Sequence, residues 1–381
     1  MNKLKVASYW RELVLLGIPM LLGFYVVVSG KGSISIAQIT ATPSNQTILS
    51  RTPTLVAPSA TKTIIPEASV TPTPSPTQTF TPNPTPTASM TPALSPTPTA
   101  LSPVPTLGPE STPFGGGTGV IAYVSSRDGN DEIYRMNLDT SIITRLTFGE
   151  ADNSRPSWSP DGHWIAFMSW RDGFPDIHLM DENGAFRQRM TTDPAYDEFP
   201  SWSPDGARIL FDSARSGIFQ LYEIRSDASE PRRVARSSAD DAVGSYSPDG
   251  SSILFESKRE SSQYQIYVMR SDATQPLRLT HTFSRNVRPV WSPDSQQIVF
   301  VSHRDGQPEL YIMNANGSGQ KRLTFDRGVV NSPSWSPDGN FILFNSDRAG
   351  NFDLYVMRTD GSELFQITDH PSDDFNGVWQ P

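Results

Sequence analysis

The sequence predicts an all-β fold over residues 118–381: a six-bladed β-propeller of four-stranded blades, closed by a C-terminal strand that completes the first blade. Three observations predict it. One block of residues returns at a near-constant interval, each unit offers four short strands without helical periodicity, and each end of the region lacks what the other supplies.

The block Ser157-Trp-Ser-Pro-Asp-Gly162 returns at Ser201 to Gly206, as Ser245-Tyr-Ser-Pro-Asp-Gly250, as Val290-Trp-Ser-Pro-Asp-Ser295 and at Ser334 to Gly339. Its aromatic residue therefore falls at Trp158, Trp202, Tyr246, Trp291 and Trp335, spaced 44, 44, 45 and 44 residues apart, and a truncated sixth copy carries Trp379. Three further series keep the same period: Tyr123 to Phe344, Tyr134 to Tyr355 and Leu146 to Ile367. The one extra residue falls in the turn Ser257-Lys-Arg-Glu-Ser-Ser262, so an insertion at a loop leaves the register intact.

Strand runs such as Trp164-Ile-Ala-Phe-Met168 are apolar on both faces, as sheets stacked between neighbouring blades require. The first unit starts at Val120 without its innermost strand, and Asn376-Gly-Val-Trp-Gln380 supplies that strand at the other end. Only a ring reconciles the two ends, and a ring also removes exposed sheet edges.

Residues 1–12 are read as a cytoplasmic stretch carrying Lys3, Lys5 and Arg11, and residues 13–30 as an apolar signal anchor or signal peptide. Basic charge ahead of an apolar run keeps that end cytoplasmic and sends the rest across the membrane. The run suits both an uncleaved anchor and a cleavable signal, with Ser35-Ile36-Ala37 as a small-x-small site, and either exports the remainder. Residues 31–117 are expected to form a disordered Thr/Pro/Ser-rich linker. Of the chain's 34 prolines, 17 fall between Pro43 and Pro113, a composition that favours extended polyproline II and cannot build a core. Gly115-Gly-Gly is expected to be a loose joint before the folded domain.

The absence of cysteine excludes disulfides and thiolate zinc sites. From residue 118 onward, 25 Lys and Arg stand against 37 Asp and Glu, a formal 25 − 37 = −12, which argues against nucleic acid as a partner. No Gly-x-Ser-x-Gly elbow, phosphate-binding glycine loop or His-x-x-x-His pair occurs, and the five histidines fall at unrelated repeat positions, so neither a cofactor nor a metal is expected. The repeated Asp161, Asp205, Asp249, Asp294 and Asp338 read as turn residues rather than a calcium array, because Pro-Asp-Gly is turn chemistry. The arginines from Arg127 to Arg348 read as scaffolding, and the tryptophans as core.

The phrases Pro200-Ser-Trp-Ser-Pro-Asp-Gly206, Phe300-Val-Ser-His-Arg-Asp-Gly306, Asp353-Leu-Tyr-Val-Met357 and Arg322-Leu-Thr324 closely resemble the TolB-type, WD-repeat-like propeller repeat, over all of 118–381. Departures sit at Val234-Ala235 and Tyr246. The resemblance implies the fold; propellers of this type serve as periplasmic scaffolds, gating domains or surface modules, so function must come from where the repeats differ.

Residues just ahead of each innermost strand are expected to ring one mouth of the channel. These are Asp152, Asn153 and Arg155, then Asp197 with Glu198, Asp240 with Asp241, Arg285 with Arg288, and Asp373 with Asp374, four acidic sectors and one basic. An ordinary solvated rim has the same composition. The expected function is that of an extracytoplasmic, membrane-tethered, monomeric propeller that binds a protein or peptide, with envelope components as candidates, and has no catalytic activity. The alternative is a carboxylate-dependent hydrolase or lyase acting on envelope glycans at the channel mouth.

Overall fold

The computed structural model describes residues 113–381, apart from 172, 186, 236, 326 and 327, together with the backbone of Phe24–Ser29 and Ser33–Gln38. The chain divides into two units, residues 1–90 and 91–381. In the first, Phe24–Ser29 and Ser33–Gln38 pair as an antiparallel hairpin, both strands rich in β-branched residues. The rest of the expected apolar segment at 13–30, residues 1–12 and most of the expected linker lie outside the described residues. Among the described residues no helix is long and apolar enough to cross a membrane.

The second unit is a ring of six four-stranded antiparallel sheets. Blade 1 takes its innermost strand, Asp374–Trp379, from the C-terminus and continues through Val120–Ser125, Glu132–Asn137 and Ile142–Arg145. Trp379 stands opposite Ile121 and Phe375 opposite Val124, so the two ends of the region close one sheet as expected. The innermost strands of blades 2 to 6 are Asn153–Trp158, Asp197–Trp202, Asp241–Tyr246, Asn286–Trp291 and Val330–Trp335.

Interfaces between blades form the core. The second strands contribute Phe167, Phe211, Phe255, Phe300 and Phe344, all fully buried, each facing an aromatic ring of the third strand of its own blade. Two of the repeated tryptophans reach back one blade through a hydrogen bond: Trp202 Nε1 donates to Ser157 O at 3.1 Å, and Trp335 Nε1 to Val290 O at 3.3 Å. Tyr246 replaces that contact by donating its hydroxyl to Glu223 Oε2 of blade 3 at 2.5 Å, so the departure keeps the inter-blade tie.

The Ser-Pro-Asp-Gly blocks are closed turns. Asp205 accepts from Ser203 Oγ at 2.6 Å and from the Ala207 amide at 3.0 Å, and Gly206 takes a positive φ of 68°. Hydrogen bonds from the serine, then from the backbone amide, hold the carboxyls of Asp161, Asp205, Asp249 and Asp294 below the usual range.

Gly115-Gly-Gly is not a loose joint. Phe114 is buried against Phe341, Phe365 and Trp379, with ring centroids 4.7, 6.1 and 6.2 Å away. A Cβ on Gly115 would lie 2.5 Å from the Trp379 ring and one on Gly116 2.8 Å from Asp338, while φ is 79° and 78°. These glycines are required by close packing, and Asp338 N donates to Gly115 O at 3.1 Å.

Candidate functional site

Each innermost strand carries the same irregularity. Its register slips by one between its second and fifth residues, as between Glu198 and Ser201, and the residue at the slip has a positive φ of 49–56°. Those six bulge residues are Arg155, Phe199, Val243, Arg288, Ser332 and Asn376. A left-handed conformation is costly for a non-glycine residue, and recurring in every blade it re-aims one side chain per blade.

Inside the channel these side chains meet. The Arg155 guanidinium carbon lies 4.1 Å from the centre of the Phe199 ring, and that of Arg288 4.2 Å from the same ring. Arg155 also donates to Asn376 Oδ1 at 3.2 Å, and Ser332 Oγ donates to the same oxygen at 2.7 Å. Five of the six bulge residues are thereby linked in a chain, so Arg155 and Arg288 belong to a cross-channel layer rather than to the rim expected from sequence.

Four of the bulge amides are satisfied by an acidic or amide side chain, that of Ser332 by Asn331 Oδ1 of its own strand at 2.8 Å and the other three by a second strand of the preceding blade. Asp212 Oδ2 accepts from Val243 N at 2.7 Å, Glu256 Oε1 from Arg288 N at 2.6 Å and Asn345 Oδ1 from Asn376 N at 3.4 Å. Asp212 and Glu256 are only 1% and 2% exposed, and the other oxygen of Asp212, Oδ1, is buried without a hydrogen-bond partner. Burial, reinforced by Glu198 and Glu256, pushes the Asp212 carboxyl well above the carboxylate range despite the amide it accepts. Burial likewise raises Glu198 and Glu256 and lowers Arg288, while burial and the charge of Arg288 depress Arg155 strongly. The layer is thus a cluster of two guanidiniums, three carboxyls and one phenyl ring, with Asp212, Glu256 and Arg288 buried and Arg155, Glu198 and Phe199 half-buried. Sequence reasoning passed over Asp212 and Glu256, although they occupy a strand position where other blades have Met168, Val301 and Val124.

Above this layer, the first residue of each innermost strand is committed to the scaffold. Asp197 pairs with Arg215 at 2.9 Å, Asp241 with Arg259 at 2.9 Å and Asp374 with Arg127 at 3.1 Å, while Asn286 accepts from Arg304 at 3.2 Å. All four are buried, and the arginines stack on the phenylalanine and tyrosine rings below. Asn153 is also buried, donating to Glu132 Oε2 at 2.8 Å. These residues are clamps, not ligand-facing groups. Glu198 lies one place further along the strand than its expected counterparts.

What remains at the mouth is Asp152, Asp240, Arg285 and Asp373. Asp152 caps the Asp131 amide at 3.0 Å and Asp373 the Phe352 amide at 3.0 Å. Asp240 pairs with Lys258 at 3.0 Å, and Lys258 and Arg285 both lie over the Tyr264 ring, at 4.4 and 5.7 Å. On the same side, the loops entering the innermost strands expose Phe148 (60%), Phe283 (102%) and Phe325 (72%), and the loop leaving a second strand exposes Phe174 beside Tyr196. Among the described residues no group of three or more His, Asp or Glu is placed to hold a metal ion.

Comparison with known proteins agrees with the geometry. The TolB beta propeller domain model matches residues 106–197, 172–263, 194–290 and 243–328. An uncharacterised protein of Agrobacterium fabrum is 49% identical over 43 residues, 11% of this chain and 15% of that protein. The Tol-Pal system protein TolB of Geobacter sulfurreducens is 44% identical over 57 residues, 15% of this chain and 12% of that protein, so in both cases the match spans a small fraction of the relative. The crystal structure of TolB from Acinetobacter baumannii superposes with a TM-score of 0.62 at 26% identity, covering 70% of this chain and 68% of that one. With six blades of the repeat, ring closure and a family match across most of the ring, the chain belongs to the TolB β-propeller domain family.

Proposed function

We propose that this chain is an extracytoplasmic, membrane-tethered propeller that binds a protein or peptide at its channel mouth and has no catalytic activity. The observation that carries the reading is the set of exposed phenylalanines, Phe148, Phe174, Phe283 and Phe325, all on mouth-side loops. Aromatic side chains held in water on one face are costly unless a partner covers them, and they are the usual anchors of protein interfaces. Export rests on the basic and apolar N-terminal segment, and tethering on the Thr/Pro-rich stretch behind it.

A catalytic role for the paired carboxylates is disfavoured by their partners. Asp197, Asp241 and Asp374 are buried and each holds a half-buried arginine, and a carboxylate so engaged is poorly placed to shuttle a proton. The test replaces Phe283 in the full chain, in its own envelope, by a photo-crosslinking phenylalanine analogue, with Phe148 and Phe325 changed to Ser in a second strain. A discrete crosslinked protein that disappears in the double variant is expected. No crosslink at position 283, together with glycan turnover that is lost in Glu198→Gln, would overturn the binding account in favour of chemistry.

A further inference from the structure

On the side of the ring away from the mouth, two junctions between blades can be compared, and one of them is filled by the chain itself. Between blades 6 and 1, Phe114 inserts among Phe341, Val356, Phe365 and Trp379, and Gly115 and Gly116 pass over Trp379 and the Asp338 turn. Between blades 2 and 3 lies a cleft of about 590 Å³, bordered among the described residues by Trp164, Leu179, Gln188, Trp202 and the Asp161 turn.

The two grooves are the same place in the repeat. Trp379 corresponds to Trp202, Phe341 to Trp164, Val356 to Leu179, Phe365 to Gln188 and Asp338 to Asp161, each pair separated by the 177 residues of four repeat units (379 − 202 = 177). The walls that demand glycine after the aromatic, a tryptophan ring and a Ser-Pro-Asp turn, are therefore both present at the second groove.

The junction between blades 3 and 4 shows what a self-sufficient groove looks like. There the corresponding positions are Arg208, Glu223, Arg232 and Tyr246. Glu223 takes Arg208 at 3.1 Å, Arg232 at 2.6 Å and the Tyr246 hydroxyl at 2.5 Å. That junction fills itself with its own ion cluster. The junction between blades 2 and 3 has the apolar walls of the occupied groove instead, with Gln188 as its one polar change.

We infer that the groove between blades 2 and 3 is a second docking site, which takes a segment of a partner protein that turns through an aromatic residue followed by two glycines, as Pro113 to Gly116 do with the Gly116 amide donating to Pro113 O at 2.8 Å. The occupant's chemistry is read from Phe114-Gly115-Gly116, which sits in the equivalent groove with its aromatic ring buried. The volume falls within the usual range for ligand sites. The site is on the opposite side of the ring from the mouth loops, so it is independent of the function proposed above.

The test uses the full chain labelled with fluorotryptophan, the Trp164 and Trp202 resonances being assigned by Trp→Phe variants. The probe is the synthetic peptide Ser-Thr-Pro-Phe-Gly-Gly-Gly-Thr, the sequence of residues 111–118. Saturable shifts at Trp164 and Trp202 are expected, weakened at least tenfold in Leu179→Lys and strengthened severalfold in Gln188→Phe, which copies Phe365. Peptides with Ala for the Phe, or Ala-Ala for the first two glycines, should leave both resonances unmoved. Shifts confined to other tryptophans, or equal binding of the Ala-Ala peptide, would overturn the inference. So would binding that appears only after Phe80→Ala, which would assign the groove to the chain's own linker, or self-association lost in Leu179→Lys, which would assign it to a second copy.

Discussion

Asp353 is the carboxylate that the repeat leaves without its arginine, and restoring that arginine should stabilise the ring in a pH-dependent way. In blades 1, 2 and 5 the equivalent acid near the start of the third strand is paired with an arginine of the outer strand: Glu132 with Arg145 at 2.9 Å, Asp176 with Arg189 at 2.7 Å and Glu309 with Arg322 at 2.6 Å. In blade 6 that arginine is Gln366, which offers Asp353 only a 3.2 Å amide hydrogen bond. Burial, then the neighbouring charge of Asp374, raises the Asp353 carboxyl from 3.8 to about 6. Because the folded value lies above the unfolded one, the native state keeps its proton longer. Stability therefore falls as pH rises from about 4, and the full penalty is present above about 6. Two pKa units at about 1.4 kcal/mol each set a ceiling of about 3 kcal/mol, which solvent screening at the blade edge reduces to ~1 kcal/mol. Gln366→Arg should recover that amount above pH 6.5, a rise in Tm of about 2–4 °C, and nothing near pH 4. Asp353→Asn should flatten the same pH dependence. Calorimetry of the three proteins from pH 4 to 8 reads the effect, and an equal Tm change for Gln366→Arg at both ends of the range would refute the reasoning.

Three further outcomes follow from the described contacts. Deleting residues 374–381 removes the innermost strand of blade 1 and should abolish cooperative unfolding in urea, whereas an open array would lose only a fraying end. Asp241→Ala leaves the Arg259 guanidinium without its carboxylate above Phe255 and Tyr267, and should lower stability by about 3 kcal/mol in urea titrations; a change below about 1 kcal/mol would mean the pair is a surface contact. Gly115→Ala should drive Phe114 from its seat, because the added methyl meets the Trp379 ring at 2.5 Å, and chymotrypsin should then cut after Phe114 at least tenfold faster than in the unchanged chain.

The fold was legible because its cause is periodic. A strand that must stack on both faces repeats its apolar pattern, and the missing and surplus strands at Val120 and Trp379 can meet only in a ring. The channel was less legible because burial is not written in residue type. Asp197 and Asp241 look like rim carboxylates, yet each stands 18 residues before an arginine of another series, Arg215 and Arg259, and only the antiparallel hairpin makes that spacing a contact. The bulges left no local mark either, since Arg155, Phe199 and Val243 are not residues that advertise a positive φ. Phe114 escaped for the opposite reason: it occurs once, in a stretch whose composition is that of the linker, and its partners lie more than 200 residues away.

The repeat also separates what the ring needs from what it is free to vary. At the positions that pack blades, substitutions keep the physical role, as when Tyr246 replaces tryptophan and still reaches the preceding blade. At the six bulge positions the side chains vary more freely: five of them meet one another, and Val243 packs against the core beside Ala242 and Tyr264. Val243 shows that an aliphatic side chain is compatible with the geometry, and burying guanidiniums and carboxyls there is expensive compared with an apolar fill. Blades 2 and 5 nevertheless place Arg155 and Arg288 against one phenyl ring, with the charges of Glu198, Asp212 and Glu256 near them, while Ser332 and Asn376 complete the layer with neutral groups. Charge is thereby concentrated on one side of the channel, beneath the Arg285 and Lys258 sector of the mouth.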